Sequence, residues 1–132
     1  MSLNDLNGKR IVLAEDEGIT VMQLGRALTR AGLVVVASVN NGCDAVEAAI
    51  RERPDIVLLD IGMPILDGLE AARRIMAEAP TCIVMLSGNA DVEIAEQAGA
   101  YGVAGYITKP ITSEHLVPAL HQALQMFYEC TP

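Results

Sequence analysis

The sequence predicts an α/β fold in which a five-stranded parallel sheet is covered by helices. Three observations carry that reading. Five short apolar runs occur at 11–14, 33–37, 56–59, 82–86 and 103–107; none alternates apolar with polar residues; and the stretches between them have helical periodicity. A strand with one wet face alternates, whereas a strand buried on both faces reads as a continuous β-branched run.

The helices are legible one by one. After Gly18, the residues Val21, Leu24 and Leu28 share one stripe, and Leu69, Ala72, Ile75 and Met76 do the same after Gly68. Across 113–129 the stripe is Leu116, Leu120, Ala123, Leu124 and Phe127. Stops are expected at Gly32, Pro54, Pro80 and Gly99. The pattern is (βα)₅, with right-handed crossovers expected. No repeat, low-complexity tract or linker interrupts it. The expected organisation is an N-terminal extension at 1–8, one domain at 9–129 and a short tail at 130–132, with no output domain.

Composition narrows the function. The chain has 132 residues, 52% of them hydrophobic, with no Trp and one Phe, so the core must be aliphatic. The net charge is −8, which repels phosphate backbones and disfavours direct nucleic-acid binding. Cys43, Cys82 and Cys130 are scattered and form no C-x-x-C, which favours a reducing compartment over a disulfide framework. There is no basic-then-apolar leader and no apolar run near the ~20 residues that span a bilayer. The expectation is a cytoplasmic protein without membrane association.

Polar residues gather where the strands end. The first run leads into Glu15-Asp16-Glu17, the third into Asp60, the fourth into Ser87-Gly88 and the fifth into Thr108-Lys109-Pro110. Open α/β sheets bind ligands at the carboxyl ends of their strands. Each residue also has an ordinary structural role available: Asp60 as a turn or cap, Glu15-Asp16-Glu17 as a solvated helix N-terminus, Ser87 as a loop serine. Lys109-Pro110 could be a plain turn, and Tyr106 a core residue. Their joint occurrence is what points to chemistry. If the first, third, fourth and fifth strands are neighbours, three carboxylates, a hydroxyl and one ammonium converge on one rim. Clustered carboxylates without His or Cys suit a hard cation such as Mg²⁺. Glu15, Asp16, Asp60 and Lys109 together leave two net negative charges, which one divalent cation neutralises. That combination suits phosphoryl transfer to a carboxylate, which needs positioning and charge stabilisation more than a strong base. His115 and His121 fall on the last helix and read as surface residues.

At these residues the chain resembles the receiver domains of two-component response regulators over nearly its whole length. The motifs are IVLAEDE (11–17), PDIVLLDIGMPILDG (54–68), VMLSG (84–88) and GYITKP (105–110). The resemblance implies a doubly wound, flavodoxin-like sheet in the order 2-1-3-4-5. It implies Asp60 as phosphoacceptor for a phosphohistidine donor, with Asp16 as direct metal ligand and Glu15 as its partner through water. The Gly62 carbonyl would be the third protein ligand to Mg²⁺. Ser87 would bond a phosphoryl oxygen, Lys109 would pair with the phosphoryl group, the Lys109–Pro110 bond would be cis and Tyr106 would be the switch aromatic. Glu15 stands where Asp is commoner, and Gly62 and Asn89 occupy variable flanking positions.

The implied partners are a sensor histidine kinase or a histidine phosphotransfer protein. Activation is expected to alter the last two strands and helices, including 91–98 and 113–127, and that face is expected to bind the partner or a second copy of the chain in a homodimer. The domain would promote its own phosphorylation and dephosphorylation without being an enzyme on other substrates. The alternative is an unphosphorylated interaction module that keeps the fold, which a small phosphodonor would separate from a working receiver. An enzyme or nucleotide-binding domain fits less well. No G-x-G-x-x-G or G-x-x-x-x-G-K-[ST] occurs, and Asp60-Ile61-Gly62 lacks the second Asp of a D-x-D.

Overall fold

Alternate residues of the central strands serve two different cores. Ile11 and Leu13 pack with Leu24, Leu28, Leu58, Leu86, Leu116 and Leu120. Their neighbours Val12 and Ala14 pack with Ala45, Ala49, Leu59, Ala72, Ile75 and Met85. Successive side chains of a strand point to opposite faces, so a run without polar residues requires a helical layer on each side. The computed structural model describes residues 6–63, 66–88, 97 and 99–130. Its elements are β1 (Arg10–Ala14), α1 (Gly18–Arg30), β2 (Val34–Val39), α2 (Gly42–Glu52), β3 (Ile56–Asp60), α3 (Gly68–Glu78), β4 (Cys82–Ser87), β5 (Gly105–Thr108) and the C-terminal helix α4 (Ser113–Cys130). All strands pair in parallel, in the order β2-β1-β3-β4-β5.

One core lies between the sheet and helices α1 and α4. The other lies between the sheet and helices α2 and α3, and there Ala45, Ala48, Ala49, Ala71 and Ala72 are all buried. Small residues on both helices let them approach the sheet and each other closely. Caps fix where two of these helices start. The Asn41 side chain accepts the Asp44 N–H, and the Asp67 side chain accepts the Glu70 N–H. Helix α2 ends at Arg53 in the left-handed conformation, directly before Pro54.

Some expectations are corrected. Only β1, β3 and β4 are buried almost throughout; β2 exposes Val34 and Ser38, and β5 is half-buried. Both are edge strands with a single sheet neighbour, so one flank lies open. The fifth strand begins at Gly105, two residues later than its apolar run, and runs one residue further to Thr108. Gly99 is not a helix stop: Gly99 and Ala100 are helical, and the turn comes at Gly102, whose φ is +88°. Leu6, in the segment read as an extension, is 2% exposed and joins the α1/α4 core. The Gly8 N–H donates to the Gly32 carbonyl at 2.8 Å, tying that segment to the end of α1. Cys82 is buried, and burial pushes its thiol up to about 12, whereas Cys43 is exposed. No helix among the described residues is long and apolar enough to cross a membrane. Asn89 and nearly all of 91–98 lie outside the described residues, as do Pro64 and Ile65 of the second motif.

Candidate functional site

The backbone ladders carry the polar residues beyond the strands in register. The Glu15 N–H donates to the Val39 carbonyl, the Ile61 N–H to the Leu86 carbonyl and the Lys109 N–H to the Ser87 carbonyl. Continuing the alternation of Ile11 and Leu13, Glu15 falls on the α1/α4 side of the sheet. Asp60 follows Leu58 and Lys109 follows Ile107 onto the same side. Parity and strand order, set by burial elsewhere, therefore place one ammonium and two carboxylates together.

The structure brings the three predicted acidic residues into one cluster. Glu15, Asp16 and Asp60 each offer a carboxylate oxygen, and these atoms all lie within 4.8 Å of one another. Glu15 is 1% exposed and Asp60 6%, while Asp16 faces solvent. The Lys109 ammonium sits 3.7 Å from Asp60 Oδ2 and 2.5 Å from Glu15 Oε1. The other Glu15 oxygen, Oε2, accepts the Asp16 N–H at 3.1 Å. The Gly62 N–H donates to Asp60 Oδ1 at 3.2 Å, so Gly62 lies beside the Asp60 carboxylate. The Lys109–Pro110 bond is cis.

Burial dominates the electrostatics. It pushes the Glu15 carboxyl up to about 7, reinforced by a hydrogen bond with Asp60 and opposed by Lys109. Around Lys109 burial works against the charged form, but Glu15 and Asp60 outweigh it and the ammonium titrates above its ordinary value. A cluster with three carboxylates and one ammonium is short of positive charge. Its donors are oxygens only, which is the chemistry of a Mg²⁺ site with waters completing the coordination. Glu15, Asp16 and Asp60 fit such an ion.

Ser87 is 7% exposed at the end of β4. It pairs in register with Thr108, and Met85 pairs with Tyr106. Residues two apart on a strand share a face, so Ser87 and Tyr106 are diagonal neighbours on the α2/α3 side. Tyr106 is half-buried and packs against that core. The histidines stay apart from the acidic cluster, on α4: His115 is exposed and its Nδ1 lies 3.1 Å from Thr112 Oγ1, and His121 is half-buried.

Two glycines to which the sequence reading gave no role at the site, Gly68 and Gly42, are closely packed at the starts of α3 and α2. A Cβ on Gly68 would lie 2.7 Å from Ile61 Cα and 3.0 Å from the Asp60 carbonyl carbon. A Cβ on Gly42 would lie 2.7 Å from the Leu66 carbonyl carbon. The start of α3 is thereby pressed against the end of β3, and the Gly68 N–H donates to the Ile61 carbonyl at 2.9 Å. Gly68 carries a signal in the sequence, since it directly succeeds the Asp67 cap, but the close approach exists only in three dimensions. Gly68→Ala is expected to destabilise the domain by roughly 1–3 kcal/mol through overpacking against backbone. Urea unfolding measures this, and an unchanged midpoint would contradict it.

The comparisons agree with this geometry. The profile of the response regulator receiver domain matches residues 11–121. The chain is 34% identical over 123 residues to the transcriptional regulatory protein PdtaR of Mycobacterium tuberculosis, covering 93% of this chain and 60% of that protein. It therefore spans less than two thirds of that relative. The response regulator domain of Thermotoga maritima CheB superposes with a TM-score of 0.81 at 30% identity, covering 96% of this chain and 100% of that one. The receiver domain of the sensor histidine kinase PA1611 from Pseudomonas aeruginosa has a TM-score of 0.80 at 30% identity, covering 89% and 98%. That structure has a magnesium ion coordinated in its active-site cleft. With its strand order, its acidic cluster and a profile match across most of its length, this chain belongs to the response regulator receiver domain family.

Proposed function

We propose that the domain accepts a phosphoryl group on Asp60 from a phosphohistidine donor, with Mg²⁺ held at Glu15, Asp16, Asp60 and the Gly62 carbonyl. The observation that carries the reading is the placement of Asp60 between two further carboxylates and the Lys109 ammonium. An Asp60 oxygen attacks phosphorus, the P–N bond breaks, and the donor imidazole leaves with the electron pair. Bound Mg²⁺ supplies positive charge beside the phosphoryl group. Lys109 adds to it on the acceptor side, and Ser87, at the end of the neighbouring strand, offers a hydroxyl to a phosphoryl oxygen. A cleft whose lining includes Glu15, Asp16, Gly18, Asn40 and Asp44 opens at the acidic cluster. The partner is accordingly a sensor histidine kinase or a histidine phosphotransfer protein. The test is transfer of label from purified phosphorylated donors, expected only with Mg²⁺ present. Failure with every donor, and with acetyl phosphate, would favour the unphosphorylated interaction module.

The output follows from the β4–β5 pairing. A phosphoryl group that draws the Ser87 hydroxyl toward Asp60 changes the space beside the Tyr106 ring, and packed cores respond by switching between discrete arrangements. Amide exchange is expected to change on phosphorylation along β5 and α4, the face available to a partner or a second copy. Changes confined to residues 43–51 on α2 would contradict this.

A further inference from the structure

Strand β2 forms the edge of the sheet opposite β5, and among the described residues no strand pairs with its outer side. Folded proteins usually guard such an edge with a lysine, a proline or an inward-pointing charge. The strand reads Val34-Val35-Val36-Ala37-Ser38-Val39 and carries none of these. Its one irregularity is a shift of register against β1, which sets Val35 opposite Ile11 and Ser38 opposite Leu13. Both therefore face the α1 side, where they line a groove of about 610 Å³ together with Leu13, Val21 and Met22. Val34 and Met22 leave about half of their surface in water. Open backbone beside an apolar groove suits an extended segment that docks as an additional strand. Ladder bonds hold such a segment, and its alternate side chains enter the groove.

Charge selects the occupant. Arg26 and Arg30, one turn apart on α1, also line the groove, and neither makes an ion pair among the described residues. They are the only charged side chains in 18–43, within a chain of net charge −8. Two copies joined edge to edge would each bring both guanidinium groups and no carboxylate from this segment, which disfavours a second copy. The groove adjoins the cleft of the acidic cluster, with Val21 and Ser38 common to both. Carboxylates are repelled at that end and drawn to the arginines. We propose that the α1–β2 groove binds an extended segment of a partner protein, apolar at alternate positions and acidic at the end that lies over Arg26 and Arg30. The site lies at the edge of the sheet away from β5 and does not depend on the phosphoryl-transfer reading.

The test uses two synthetic peptides, each an alternating valine–threonine strand, with glutamates placed before it in one and after it in the other. They are titrated to millimolar concentration into the ¹⁵N-labelled protein and followed by NMR and amide exchange. At least one is expected to shift the signals of Val34–Ser38 and Met22–Arg30 and to slow exchange along β2. Arg26→Glu combined with Arg30→Glu is expected to weaken that binding about tenfold or more, since like charges then meet. Both arginines are exposed, so the variant should keep the fold. Lysines in place of the peptide's glutamates are expected to abolish binding. Binding by neither peptide, shifts located elsewhere, or equal affinity of the lysine peptide would overturn the proposal. So would dimerisation of the free protein that protects β2, which would assign the edge to a second copy. The same shifts produced by single-stranded poly-uridine would assign the arginines to nucleic acid and overturn it as well.

Discussion

Asp60→Ala is expected to abolish covalent labelling by acetyl phosphate. Asp60 ends the fully buried strand β3, and its carboxylate meets Asp16, Glu15 and the Lys109 ammonium at one point. The other two carboxylates are poorly placed to substitute. Glu15 is fully covered, with both oxygens engaged, and Asp16 is exposed, with no ion pair to Lys109 like those of Glu15 and Asp60. Alanine also removes the oxygen that accepts the Gly62 N–H, but that bond is long at 3.2 Å and the loop is separately tied by the Gly68 N–H to Ile61. The variant should therefore remain folded while labelling falls to background. Intact-mass measurement after incubation with acetyl phosphate and Mg²⁺ reads the result; labelling at the parent rate would remove Asp60 from the mechanism.

Lys109→Met is expected to slow labelling about a hundredfold, the lower end of what loss of one charge-stabilising donor costs in acyl and phosphoryl chemistry. Among the described residues, Lys109 is the cation in ion-pair contact with Asp60. Methionine keeps much of the apolar stem and removes the charge. The buried Glu15 then loses its counter-charge, so the variant should also unfold more readily. Rates measured well below the unfolding midpoint keep the two effects apart. A labelling rate within twofold of the parent would show that Lys109 plays no part in the transfer.

Most of the fold is legible in residue order because its physical demands are local. A run such as Ile56-Val57-Leu58-Leu59 has no face to give to water, so helices on both sides and parallel strands are required. The site is legible for a related reason: a rim can be filled only by the residues at the carboxyl end of each strand, and Glu15, Asp16, Asp60, Ser87 and Lys109 stand there. The features that escape such a reading depend on distances between remote segments. The edge position of β2 is set by strand order, which apolar runs alone do not specify. Gly68 looks like any helix-starting glycine until its neighbour is seen to be the Asp60 backbone. Leu6 sits among polar residues in sequence, and only the turn at Gly32 shows that it closes one end of a core. That Lys109 pairs with Glu15 as well as with Asp60 is visible only in three dimensions.

Phosphoryl transfer to Asp60 should depend on a divalent cation in the acidic cluster, and both halves of that statement can be read in one measurement. The modified residue is mapped by tandem mass spectrometry after acetyl phosphate treatment with Mg²⁺, and again with the ions chelated. One phosphoryl group is expected, on Asp60, in the first sample and none in the second. Modification at another residue, or at Asp60 to the same extent without divalent ions, would contradict it.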